Sequence, residues 1–568
     1  MKKLLFLISL CTTFISVAQN LESKIPSNAE AVISVNGNRL LELMSIDEFE
    51  DLDIAKELFK EVSKNNDSTA KISSLKDFGI DINSKVYYFY QTTDSIIYHS
   101  VLYKLNDRKL FEKALVASEE EIVRNNNMNI STKNSSATIW NDNILLFTAG
   151  DATYRYFQNN EERFLTHAEN EGESLYNIQD RVQGGWIYDQ GVAIFNNNES
   201  NSILKNSNYL KRKDDNAAAT FWINNYGELI HNTMKYSLTS LFLNPDMDAK
   251  KTGYGIDGMW GSIYLDDTEA RITADMEIND EWKKIYKNMY NSKIGNEFLN
   301  YFNQDKVLAY TSMSFNMEGM LEEYPAIVSN IYGEMMPKYR EETDVVTEVI
   351  SVLLDEEAIG NVITGNMLFV LNDIVEREVT YTTYEYDDDY NRTEVANTKT
   401  EPIPDFTIMI GSKNKKLLNK LIRLGAKHGL VSSKGNYYML KEKTDIPVDI
   451  FFAIKDDIAF FTSSEKQMMD ILSNKATSNS GKHKKMIRNN ISTIYVNGKQ
   501  LMHKLPDSAF SKREIKIFNF AKENLTDAYF TTSRMKGNKI HLEMKMDTPI
   551  QHGNSLKFFL DLIELSIK

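Results

Sequence analysis

Short β-runs that end in asparagine and pass straight into a helix start recur far apart in this chain. A recurring unit restricts the possible folds more than any single motif does. Ala31-Val32-Ile33-Ser34-Val35-Asn36-Gly37 runs into Arg39-Leu40-Leu41-Glu42-Leu43, and Ser492-Thr493-Ile494-Tyr495-Val496-Asn497-Gly498 runs into Lys499-Gln500-Leu501-Met502. A third run, Ala219 to Asn225, leads into Tyr226-Gly227-Glu228-Leu229-Ile230.

Longer stretches match as well. Tyr103 to Phe147 reads as a strand, a helix capped by Asn106-Asp107 and carrying Leu110, Phe111, Ala114 and Leu115, and a hairpin through Asn141-Asp142-Asn143. Residues 406–462 follow the same plan, with Asn414 opening the helix and Lys455-Asp456-Asp457 making the turn. Asn and Asp accept the positive φ that tight hairpins require. A third match joins Gly261–Ile278, turning at Asp266-Asp267, with Tyr529–Met546, turning at Lys536-Gly537-Asn538. Ile272, Ala274, Met276 and Ile278 alternate in one closing strand, and Ile540, Leu542, Met544 and Met546 in the other. Period-two alternation marks antiparallel strands with one covered face. The expected fold is α+β: two related lobes, 19–295 and 296–568, from an internal duplication, each an antiparallel sheet covered by helices.

The second lobe departs from the repeat between Glu376 and Glu401. Glu378 to Tyr386 alternates and is β-rich, Asp387-Asp388-Asp389 follows, and Tyr390 to Val395 returns. This predicts a long exposed hairpin with an acidic tip, and Tyr384, Tyr386, Asp387, Asp388, Asp389 and Tyr390 are its candidate partner-binding residues. A calcium loop needs oxygens converging from spaced positions and a glycine at the bend, which adjacent aspartates do not supply. Lys482-His483-Lys484-Lys485 with Arg488 reads as a solvated basic loop, after the polar stretch 477–481. Leu556, Phe559, Leu560, Ile563 and Ile567 form the apolar stripe of a C-terminal helix expected to pack on the second lobe.

The N-terminus reads as a secretory signal peptide over residues 1–18. Lys2 and Lys3 precede an apolar run from Leu4 to Val17, and Ser16 and Ala18 put small side chains at −3 and −1. Cys11, the only cysteine, lies inside the apolar run after Leu10, which is not a lipobox position. Cleavage would leave no thiol, so disulfides and thiol catalysis are excluded from the mature chain. It would also leave 63 basic against 80 acidic residues, a net charge of −17, which repels nucleic acid. No later segment has the length of apolar sequence needed for a membrane span.

Catalytic patterns are missing or out of context. The eight histidines form neither HExxH nor H-x-H, and there is no G-x-S-x-G or P-loop. Gly253-Tyr254-Gly255-Ile256-Asp257-Gly258 fits G-x-G-x-x-G by letter, but a polar run precedes it and a strand follows, the reverse of a dinucleotide site. S-x-x-K at Ser73–Lys76 and Ser202–Lys205 and K-T-G at Lys251–Gly253 lack an S-D-N. Carboxylate pairs such as Asp266-Asp267, Glu322-Glu323 and Asp355-Glu356-Glu357 read as turns or solvated helix faces. Trp222 and Trp260 fall in or beside apolar strands and read as core, leaving Trp186, after Gly184-Gly185, as the best candidate for an exposed stacking platform. No catalytic residue, cofactor or metal ligand is assigned.

Ile25-Pro26, Ala29 and Val32-Ile33-Ser34-Val35-Asn36, with Lys76-Asp77-Phe78-Gly79-Ile80-Asp81, resemble a family of exported envelope proteins of the Bacteroidota type, known only as a domain of unknown function. The resemblance covers mainly the first lobe. It implies an exported location and this architecture, and carries no activity or site residues. The sequence thus points to a cell-envelope protein, in the periplasm, on the inner face of the outer membrane, or secreted. Its expected role is binding or assembly with an envelope partner or ligand. A glycan-acting hydrolase, a glycan binder and a lipid or lipoprotein carrier are the alternatives.

Overall fold

The computed structural model describes residues 20–567 apart from 65–72, 117–121, 126, 134, 153, 236–253, 304, 306, 336, 387–391, 442–447 and 476–480. The signal-peptide segment with Cys11, the K-T-G triplet, Asp387, Asp388, Asp389 and Tyr390, and most of the polar stretch before Lys482 lie outside the described residues. The chain forms two compact units, one of Met1–Phe242 with Gly258–Tyr264, the other of Leu243–Asp257 with Leu265–Lys568. Both are α+β.

Among the described residues ten strands come first: β1 (Ala31–Asn36), β2 (Lys85–Thr92), β3 (Ile96–Lys104), β4 (Val123–Asn125), β5 (Met128–Lys133), β6 (Ser136–Trp140), β7 (Ile144–Ala152), β8 (Ala219–Ile223), β9 (Ile256–Leu265) and β10 (Glu269–Ile278). Ten more follow: β11 (Ala309–Ser314), β12 (Asn366–Tyr386), β13 (Arg392–Gly411), β14 (Val431–Ser433), β15 (Tyr438–Leu440), β16 (Phe451–Lys455), β17 (Ile458–Thr462), β18 (Asn490–Asn497), β19 (Asp527–Ser533) and β20 (Lys539–Asp547). In the first unit the order is β9-β8-β1-β2-β3-β7-β6-β5-β4, antiparallel throughout. The second unit runs β19-β18-β11-β12-β13-β17-β16-β15-β14, the same connectivity ten strands on, again antiparallel. It continues through β20 to β10, which pair from Glu269↔Asp547 to Glu277↔Lys539. That pairing puts β10 and the helix Asp280–Met289 in the second unit, so the compact units divide ahead of the 295/296 boundary drawn from the repeat.

Local chemistry accounts for the elements. Asp107 caps the helix Arg108–Val116 by accepting from the Lys109 and Leu110 amides, and Asn414 caps Lys415–Lys427 through the Leu417 amide. Asp456 and Asp457 both take positive φ, 49° and 58°, in the β16–β17 turn. Tyr254 and Gly255 make a turn into β9: both have positive φ, and a Cβ on Gly255 would lie 2.2 Å from the Trp282 side chain.

Each sheet buries one face. Ile25, Phe89, Leu102, Ile130, Ile139, Leu146 and Ile194 make the main core of the first unit, with the helix Leu175–Phe195 lying on β6 and β7. Phe298, Phe302, Tyr310, Leu368, Met409, Phe460 and Ile487 do so in the second. Two sequence expectations change here. Lys482–Asn489 is a helix, not a solvated loop, because His483 and Ile487 are buried, His483 edge-on to Tyr310 and Tyr495. The C-terminal helix Ser555–Ile567 is anchored by Phe558, stacked on Phe520, while Ile563 from the expected stripe is exposed.

Candidate functional site

The most distinctive feature of the second unit is the β12–β13 hairpin. β11 pairs with β12 only over Asn366–Leu371, and β17 with β13 only over Thr407–Gly411. Past that limit the two strands pair with each other from Asp373↔Asp405 to Tyr386↔Arg392, and among the described residues no third strand joins them. At about 3.4 Å per residue this arm reaches on the order of 45 Å. Its alternation was legible in sequence, and the ladder extends the expected 376–401 segment toward the sheet.

Tyr384 and Tyr386 lie on β12 near the tip. Tyr384 is exposed, with the Arg392 guanidinium stacked 3.4 Å over its ring, and Lys399 sits 5.1 Å from the Tyr381 ring centroid. Such pairs hold the tyrosines flat against the arm and contribute about 0.5–1 kcal/mol each at exposed sites. Between 376 and 401 stand eight acidic residues and three basic ones, so the arm is strongly anionic. Pro402 and Pro404 occupy alternate positions on β13 and offer no N–H there, whereas β12 has no proline. Near the base, the edge of the arm able to accept another strand is therefore that of β12.

Where the arm leaves the sheet, the register shifts between Leu371 and Asp373. Asn372 is the extra residue, and the shift sets Asp373 opposite Asp405. A cleft of about 550 Å³ opens there, lined among others by both aspartates, Thr407, Gln467, Lys466 and Lys504. Lys504 pairs with Asp373 at 2.8 Å, and Asp405 accepts a hydrogen bond from Ser463 at 3.3 Å. Burial, with the nearby charge of Asp373, holds the Asp405 carboxyl above its ordinary range despite the Ser463 bond. Such a cleft can hold polar groups or a cation.

A carboxyl whose pKa is raised by folding favours the fold while protonated and loses that contribution as pH rises through the raised value. Asp405→Asn is therefore expected to raise the unfolding temperature at pH 7, with the gain fading as the pH falls to about 4, the unperturbed range. Thermal scans across that window check it. Equal shifts at both ends would mean Asp405 does not titrate with folding.

Sequence reasoning missed Asp373 and Asp405 because neither belongs to a motif; the bulge alone brings them together. The one signal was a polar Asn372-Asp373 interrupting an apolar run. Trp140, Trp222, Trp260 and Trp282 are buried, and Trp186, expected to be the most exposed, is half-buried and stacked on Phe157 at 5.9 Å. Among the described residues no three His, Cys, Asp or Glu side chains cluster as metal ligands, and no helix is long and apolar enough to cross a membrane.

No family model matches the chain, and no curated protein matches it. Among solved structures it is similar to three crystal forms of TP0453: forms III, I and IV, at 10%, 7% and 8% identity. Each likeness covers 46% of this chain and 80–81% of TP0453 at a TM-score of 0.24.

Proposed function

We propose that this chain is an exported cell-envelope protein that binds or assembles with a partner through the β12–β13 arm, and that it is not itself a catalyst. The arm is the observation that supports this reading: beyond its base, where Ile403 is buried, a two-stranded ribbon has little reason to persist in water unless it engages something. Its charge favours a partner with a basic surface. The prolines of β13 direct an added strand to the outer edge of β12, where main-chain hydrogen bonds give affinity and alternate side chains give selectivity. Export rests on the n-region, apolar run and small residues of positions 1–18, and places the partner in the periplasm or at the inner face of the outer membrane.

Replacing residues 378–398 by Asn-Gly shortens the hairpin without touching the sheet. Crosslinking in the envelope fraction followed by mass spectrometry should show the partner adducts of the intact chain falling at least about tenfold in the shortened one. An unchanged set of adducts would remove the arm from the account.

A further inference from the structure

The helix Lys415–Lys427, between β13 and β14, buries none of its residues. Leu418, Ile422 and Gly425 turn toward the protein, Gly425 against Val431. Leu417, Leu421 and Leu424 follow one another at helical spacing and are 38%, 54% and 53% exposed; Leu430, just beyond the helix, is 46% exposed. Helical periodicity sets Lys416, Lys420, Arg423 and Lys427 along the flank of that leucine stripe. From Lys413 to Lys441 there are seven lysines, one arginine and no acidic residue, in a chain of net charge −15.

The fold does not require this surface. In the first unit the helix at the same place in the strand order, Arg108–Val116, sets Phe111 edge-on to Trp140 at 5.3 Å and buries it. Counting from the capping residues Asp107 and Asn414, Ala114 stands where the second unit has Leu421. The first helix also carries Glu112 within it, where the second has Asn419. Leu110, Lys109 and Lys113 match Leu417, Lys416 and Lys420 by the same count, so the second unit differs in Leu421, Arg423 and Leu424, where the first has Ala114, Val116 and Ala117.

We propose that the helix Lys415–Lys427, with Leu430, docks on an anionic lipid surface, lying in the headgroup plane with its leucines in the acyl boundary. A leucine stripe with a purely basic polar side is the pattern of helices that lie in a bilayer interface. Lysine stems snorkel from such a position, leaving their ammonium groups among the headgroups. The predominance of lysine over arginine fits a mobile array of anionic headgroups better than the fixed carboxylates of an acidic protein, which arginine binds as a bidentate fork. This surface is separate from the arm, so its failure leaves the arm's partner untouched.

The test is flotation of the chain from residue 19, since the apolar run 4–17 would bind lipid by itself, with two vesicle compositions. One is phosphatidylcholine containing about three-tenths phosphatidylglycerol, the other phosphatidylcholine alone. The chain is expected to float with the anionic vesicles, decreasingly as salt rises, and to stay behind with the neutral ones. Leu421→Asp with Leu424→Asp should lower the bound fraction at least about tenfold with unfolding temperature unchanged, because both positions are solvent-facing. Lys416→Gln, Lys420→Gln and Arg423→Gln together should weaken binding and flatten its salt dependence. No flotation with anionic vesicles, equal flotation with neutral ones, or undiminished binding by either variant would overturn the proposal.

Discussion

Lys213→Ala is expected to lower the stability of the first unit by about 3 kcal/mol, the lower end of the range for stripping one partner from a buried ion pair. Glu22 lies in the short helix Leu21–Lys24 with its side chain only 3% exposed. Lys213 reaches it at 2.6 Å, and the Tyr209 hydroxyl donates to its other oxygen at 2.9 Å. Without the ammonium, a carboxylate stays in the core with only the neutral Tyr209 and Tyr87 phenols named beside it as hydrogen-bond donors. Lys213 is itself part-exposed, which keeps the expected loss at the low end. Burial, then the charge of Glu22, pushes the Tyr87 and Tyr209 phenols well above their ordinary range. Denaturant unfolding followed by tryptophan fluorescence reads this unit, since Trp140, Trp186, Trp222 and Trp260 all belong to it. The double variant Glu22→Gln with Lys213→Ala should recover most of the loss. A single-variant loss below about 0.5 kcal/mol, typical of surface positions, would show that the pair is not desolvated in solution.

Trp140→Ala is expected to cost about 3–5 kcal/mol, the range for deleting a large buried ring. Trp140 is fully buried at the end of β6, receives Phe111 edge-on, and donates from Nε1 to Glu112 at 3.0 Å. Glu112 is in turn held by Arg108 at 2.6 Å, so one side chain secures both the sheet and the helix that crosses it. Trp140→Phe keeps most of the apolar contact and loses the hydrogen bond, and should fall between the two. Denaturation midpoints of the three proteins check the order. An alanine variant as stable as the phenylalanine one would mean the site collapses around the missing ring.

Much of this architecture is legible in sequence because it is local. Asn and Asp turns and period-two alternation mark the β3-to-β7 and β13-to-β17 segments and the β9–β10 and β19–β20 hairpins. The same local signals mislead where tertiary position matters. The strand at 31–36 and the strand at 492–497 read alike, yet in strand order β11 stands where β1 does, and β18 where β8 does. β1 and β8 are antiparallel neighbours, β1 ending in Asn36 and β8 followed by Asn224 and Asn225, each beside a helix start, so local demands cannot tell them apart. The arm was legible from its alternation, while the Asp373–Asp405 pair at its base depends on a register shift that no motif encodes. Amphipathic spacing likewise gives the C-terminal helix but not its anchor: Phe558 is selected by Phe520 and His552, not by the stripe.

The account stands or falls on the arm meeting a partner. A photo-crosslinking residue placed at Tyr384 on the arm, with Tyr176 in the first unit as a still more accessible control, measures this in living cells. The account predicts a discrete adduct with an envelope protein at Tyr384 and not at Tyr176. No adduct at Tyr384, or the same adducts at both positions, would contradict it.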